Sequence, residues 1–191
     1  MLKSYIKDSG WLNSFHTKRS VDANGNPLPW VTYPFIHFIE ERLNPEMNLF
    51  EYGSGNSSRW YAKNVGTVTA VEHDEEWYKL VKNQIPTNAN VVCRSLDGVA
   101  YEEEVFSASR RYDLVIVDGR KRVNCVKCAY KSIAANGVIV LDNSDRPNYQ
   151  EAHDFMKEKG FKKIDFWGLS PITAHLCCTT IFYRSNNCLG I

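Results

Sequence analysis

From residue 47 onward the chain alternates between two hydrophobic patterns, and this alternation constrains its fold more than any other feature. Short apolar runs rich in β-branched residues occur at 47–51, 67–72, 90–94, 112–117 and 137–141. They are short and nearly continuous, as strands covered on both faces must be. Between them lie stretches with helical spacing: 57–64, 74–84 with Trp77, Leu80, Val81 and Gln84, and 122–135 with Val123, Val126, Tyr130 and Ile133. A further helix is expected over 148–159, ended by Gly160. Strands alternating with helices in this way predict an α/β chain built on a single Rossmann-like, doubly wound and mostly parallel sheet. The end departs from the pattern. Segments 162–169 and 178–184 read as two strands with only a loop between them, so an antiparallel terminal pair is expected.

Ahead of this region, residues 21–30 carry Asn24-Gly25, Pro27 and Pro29, all turn residues. Tyr33-Pro34 then opens a helical pattern through Phe35, Phe38, Ile39 and Leu43. Residues 1–33 are therefore expected to form an arm contributing to a substrate site, and 34–191 the domain proper. A length of 191 residues suits one domain. Lys and Arg total 23 against 22 Asp and Glu, a net charge of +1, so there is no bulk attraction for nucleic acid or anionic membranes. No apolar run reaches the ~18 residues of a membrane span, and the N-terminus lacks the apolar stretch of a secretory signal. The six cysteines include several inside apolar runs, which suits reduced, buried thiols and a cytoplasmic protein. Cys125-x-x-Cys128 resembles half of a zinc site, but no second pair accompanies it.

The first strand runs into Glu51-Tyr52-Gly53-Ser54-Gly55-Asn56-Ser57. Glycines at a strand-to-helix turn let backbone approach a ligand closely. Glu72 closes the second strand, where an acid can accept hydrogen bonds from the ribose hydroxyls of an adenosine-type cofactor. A dinucleotide fingerprint would place a third glycine where Ser58 stands. Glu51 would repel a pyrophosphate but suits a cationic amino group.

On these residues the chain resembles the class I S-adenosylmethionine-dependent methyltransferases, over about 34–185. That family combines an acid-x-Gly-x-Gly motif, an acid after the second strand and a reversed final strand. Ser57 replaces the last glycine of the fuller motif. The resemblance implies that Glu51, Gly53, Ser54, Gly55 and Asn56 lie near the methionine part of S-adenosylmethionine. It implies also that Glu72 binds the ribose, that Asp97 reaches the adenine amino group and that Asp118 helps position the cofactor.

Strand four ends at Asp118 and strand five at Asp142-Asn143. In adjacent parallel strands these oxygens converge, and two carboxylates with an amide suit a hard divalent cation such as Mg²⁺ or Mn²⁺. The set is similar to the metal site of catechol-type and sugar O-methyltransferases. Such an ion would lower the pKa of an acceptor hydroxyl facing the methyl group. By that resemblance Lys121 is a candidate base; His175, expected on the loop between the last two strands, is a second. Arg120, Arg122 and Arg146 add charge at the same rim and are candidates for holding an anionic acceptor. Trp30 and Tyr33 of the arm, with Trp11 and Trp167, are candidates for stacking on an acceptor ring. The expected activity is metal-assisted O-methylation of a hydroxyl on a saccharide or glycoconjugate, with a small-molecule or glycan partner and no nucleic acid. A phenolic acceptor is the nearest alternative. A non-catalytic cofactor-fold module is a further one, and a nicotinamide oxidoreductase is disfavoured by Glu51 and Ser58.

Overall fold

The structure is a computed structural model that describes residues 4–191. Its elements in chain order are α1 (Tyr5–Asp8), α2 (Trp11–Thr17), α3 (Tyr33–Glu40), β1 (Asn48–Tyr52), α4 (Asn56–Asn64), β2 (Thr67–Glu72), α5 (Glu75–Lys82), β3 (Ala89–Cys93), α6 (Ala100–Glu103), β4 (Tyr112–Val117), α7 (Arg122–Ser132), β5 (Ile133–Asp142), α8 (Gln150–Glu158), β6 (Lys162–Ser170) and β7 (Thr173–Tyr183). One seven-stranded sheet has the order β3-β2-β1-β4-β5-β7-β6. The first five strands are parallel and β7 pairs antiparallel with both β5 and β6. The sheet is thus Rossmann-like with a reversed terminal pair.

Strand alternation divides the core into two layers. Leu49, Leu114, Ile116, Val138, Val140 and Ile181 face α3 and α4. Phe50, Tyr52, Val115, Val117, Ile139, Leu141 and Phe182 face α7 and α8. β1, β4 and the second half of β5 are buried on both faces, which explains their nearly unbroken apolar runs, whereas β3 at the sheet edge buries only Val91. Order reverses where β1 meets β4, and the carboxyl ends of β1, β2, β4 and β5 open a crevice there.

Two details differ from the sequence expectation. α7 stops at Ser132 and β5 begins immediately, so the ten-residue strand takes residues that carry helical spacing. β6 and β7 form a tight hairpin with a turn at Pro171-Ile172, where Ile172 has φ of 71°. His175 therefore lies within a strand, not on a loop. The arm is folded: α1 and α2 precede a bridge between Val21 and Pro27. Its tryptophans bind the hairpin tip, as Trp11 Nε1 donates to Thr173 O at 2.9 Å and Trp30 Nε1 to Thr173 Oγ1 at 3.1 Å. At the other side, Asn56 Nδ2 donates to Ser20 O at 2.8 Å. The arm thus joins the start of α4 to the end of the hairpin. No helix among the described residues is long and apolar enough to cross a membrane. All six cysteines are free thiols.

Candidate active site

The turn after β1 is bare backbone. Gly53 and Gly55 hold φ of 104° and 148°, values that side-chain-bearing residues rarely adopt. Gly53 N donates to Val71 O at 2.8 Å and Asp118 N to Tyr52 O at 3.2 Å, which tie the tips of β1, β2 and β4 together. The serine in the place of a third glycine has its own task. Ser58 Oγ donates to Glu51 Oε2 at 2.5 Å and accepts from Gly55 N at 3.2 Å. Glu51 is 1% exposed. Burial, reinforced by the charge of Glu72 and opposed by the hydroxyls of Ser57 and Ser58, pushes its pKa from 4.5 to about 7.

Glu72 is also buried. Its Oε1 accepts from the backbone N–H groups of His73 at 2.7 Å and Asp74 at 3.0 Å, and its Oε2 from Ser54 Oγ at 2.9 Å. The backbone bonds hold the carboxylate rigidly, while the serine hydroxyl can rotate aside for a ligand hydroxyl. Beside this pair stands a residue that sequence reasoning missed. Trp77 has no side-chain role in the core: it is 47% exposed, and Nε1 donates to Ser54 O at 2.9 Å. A Cβ on Gly55 would lie 3.3 Å from its ring, so the indole flanks the glycine turn. The signal was the position of Trp77 three residues after the Asp74 cap, with Leu80 on the same exposed face and only Val81 turned inward. Asp97 is exposed in a turn where its N–H donates to Ser95 Oγ at 3.0 Å.

The tips of β4 and β5 bring Asp118, Asp142 and Asn143 together, as their parallel pairing requires. The cation among them is Arg122. This residue was expected on an exposed rim, yet it is 8% exposed and points inward. All five of its N–H donors are engaged. Nε donates to Gly119 O at 3.0 Å, and Nη2 to Asp118 O and Oδ1, both at 2.9 Å. Nη1 donates to Asp142 O and to Asn143 Oδ1, the latter at 3.3 Å, and lies 3.6 Å from Asp142 Oδ2. These bonds also hold two sharp turns, since Lys121 and Asn143 each have φ of 49° without being glycine. Where the sequence suggests a metal set, the structure places this guanidinium. Asp118, Asp142 and Asn143 each direct a side-chain oxygen at a guanidinium whose positive charge would face any ion placed there. Among the described residues, no cluster of three or more His, Cys, Asp or Glu side chains is arranged for a metal. Arranged in this way, the residues do not fit a divalent cation.

Asp142 is buried between Arg122 and Thr179. Its Oδ1 accepts from Thr179 Oγ1 at 2.7 Å, and Thr179 Oγ1 accepts from Thr32 N at 3.1 Å. The arm is thereby wired to the tip of β5. Desolvation raises the pKa of Asp142 against the pull of Arg122. Asp118 is pushed up further, by desolvation and by the neighbouring Asp142 charge. Its side chain still keeps 22% exposure toward the crevice. The tips thus hold two acids, Asp118 and Asp142, on one buried arginine, with Glu51 close enough to Asp118 for their charges to interact.

The remaining candidates are scattered. Lys121 Nζ turns to α6, donating to Gly98 O at 2.5 Å and pairing with Glu102 at 3.1 Å. His175 is exposed on β7, four residues before Thr179, which is roughly 13 Å along a strand. Tyr33 is corrected from a ligand-facing aromatic to a core residue, 3% exposed at the start of α3. Trp30 remains exposed, as do Arg120 and Arg146. Beyond Ser144, a cleft of about 420 Å³ opens between α8 and the hairpin. Asp145, His153, Lys157, Lys163, Asp165 and Trp167 line it, with Trp167 51% exposed. His153 Nε2 donates to Ser144 O at 3.0 Å, and its Nδ1 is buried without a partner.

The sheet order and crevice define the class: a Rossmann-like fold of the methyltransferase type. Solved structures agree. A precorrin-6y C5,15-methyltransferase from Geobacter metallireducens matches with TM-score 0.62 and 13% identity, over 80% of this chain and 87% of that one. A protein from Staphylococcus aureus assigned as a caffeoyl-CoA O-methyltransferase matches with TM-score 0.61 and 15% identity, over 85% and 88%. A methyltransferase-like protein from Silicibacter pomeroyi matches with TM-score 0.59 and 21% identity, over 83% and 90%. No protein-family model and no curated protein matches the sequence.

Proposed function

We propose that the chain is an S-adenosylmethionine-dependent O-methyltransferase acting on a hydroxyl of a small polar acceptor, of the saccharide class. One observation carries the cofactor: a bare glycine turn lies between two buried carboxylates, within a site richer in acids than in bases. Glu72 suits the ribose hydroxyls, and Glu51 the methionine ammonium. The surplus negative charge of Glu51, Asp118 and Asp142 over Arg122 suits a ligand that is itself cationic at sulfur and nitrogen.

The cofactor supplies an electrophilic methyl group on a sulfonium. Transfer is an in-line displacement: the acceptor oxygen bonds to the methyl carbon as the carbon–sulfur bond breaks, and the sulfur keeps the electron pair. The hydroxyl proton must leave. Asp118 is the base we assign, because it faces the crevice and its crowded, desolvated carboxyl has the raised basicity that the task needs. The saccharide class rests on the cleft beside Ser144 and Asp145. There an exposed indole lies among carboxylates and lysines, a combination suited to a sugar ring's apolar face and hydroxyls. Calorimetric titration with S-adenosylhomocysteine tests the cofactor, and micromolar binding is expected. Methyl transfer from labelled cofactor to a panel of sugars and catechols then tests the acceptor. Absent binding of the nucleoside would overturn the reading, and transfer to catechols alone would replace the acceptor.

A further inference from the structure

We propose that Arg122 is a resident cation in the seat between the tips of β4 and β5, and that this protein therefore takes no divalent ion there. The three side-chain oxygens that would ligate an ion surround its guanidinium: Asp118 Oδ1 at 2.9 Å and Asn143 Oδ1 at 3.3 Å accept hydrogen bonds from it, and Asp142 Oδ2 forms an ion pair with it at 3.6 Å. The same side chain binds the carbonyls of Asp118, Gly119 and Asp142. An ion entering would have to break this array and lie against a buried positive charge. Arg122 starts α7, four residues after Asp118, so the helix itself delivers the cation to the strand tips.

The donor count decides the role of Arg122. Five N–H groups meet five protein acceptors, so none is left for an acceptor molecule. Arg122 is a positioning residue: it orients Asp118 and pins the turns after β4 and β5, much as an ion would, but with one charge and a planar fork. This consequence for catalysis rests on the methyltransferase reading above, whereas the exclusion of ions does not.

The test is Mn²⁺ titration followed by the electron paramagnetic resonance of the free ion. Wild-type protein is expected to bind no Mn²⁺ at this seat up to about millimolar concentration. Arg122→Ala frees two carboxylates and an amide. It is expected to gain one site at least about tenfold tighter than any wild-type binding. Adding Asp142→Asn should remove that site, and Arg122→Lys, which restores a cation, should exclude the ion again. Arg122→Gln, which keeps bulk and hydrogen bonds without charge, replaces the alanine variant if that one fails to fold. One equivalent of Mn²⁺ on wild type that Asp142→Asn removes would overturn the proposal. So would a folded Arg122→Ala or Arg122→Gln protein that gains no site. S-adenosylhomocysteine binding, measured alongside, reports on the methyltransferase reading separately.

Discussion

Replacing Glu51 with glutamine isolates the best-defined electrostatic feature of the crevice. Glu51 is 1% exposed and its pKa rises from 4.5 to about 7. A group raised in the folded state binds more protons there than in the unfolded chain. Its contribution is therefore favourable at low pH and is lost as pH rises from 4.5 to about 7. At ~1.4 kcal/mol per pH unit, ionised Glu51 costs the ligand-free protein about 3 kcal/mol above that window. Glutamine keeps the shape and can still accept from Ser58, so the variant should gain up to ~3 kcal/mol over wild type in urea unfolding at about pH 8, and little at about pH 5. The cofactor reverses the sign. An ammonium beside Glu51 favours the carboxylate, so binding must expel the proton at low pH. With a ligand-free pKa near 7, S-adenosylhomocysteine affinity should fall about 25-fold between about pH 7.5 and 5.5 in wild type, and that component should vanish in Glu51→Gln. Calorimetry of both proteins across this range measures it. Identical pH dependence in the two would refute the placement of Glu51 against the ligand's cation.

Other substitutions probe the neighbouring contacts. Glu72→Gln, which weakens acceptance from ribose hydroxyls, should lower S-adenosylhomocysteine affinity about 10- to 100-fold by calorimetry. Ser58→Ala removes the 2.5 Å bond to Glu51 and should move the binding midpoint in pH above that of wild type. Thr179→Val leaves both Asp142 and the Thr32 N–H short of a partner; urea unfolding should show a loss of about 1–3 kcal/mol, with early release of the arm seen in Trp30 fluorescence. Trp77→Ala should abolish most of the tryptophan fluorescence change on nucleoside binding, since the indole flanks the glycine turn.

Much of the scaffold was legible because its signals are local. Strands buried on both faces leave short apolar runs, and Gly53, Gly55, Glu51 and Glu72 mark strand ends by residue type alone. The convergence of Asp118, Asp142 and Asn143 was also legible, since adjacent parallel strands place their ends side by side. Residues 133–136 were harder. Their helical spacing continues α7, yet pairing of Ile133 with Tyr112 draws them into β5. Trp77 and Tyr33 exchange the roles that their neighbourhoods suggested, because burial depends on which helix face meets the sheet. Tyr33 packs inward on α3, while Trp77 stays outside and bonds the glycine turn.

The sequence by itself determined the sheet, its reversed end and the chemical types standing at each strand tip, because period, turn residues and acids are properties of short segments. The tertiary structure alone decided what those acids hold. Within Arg120-Lys121-Arg122, three cations look equivalent along the chain, yet Arg120 faces solvent, Lys121 turns to Glu102 and Arg122 is buried. That sorting follows from the summed field of Asp118 and Asp142, which are 24 residues apart in sequence and meet only when β4 pairs with β5. A buried charge is stable only where its partners converge.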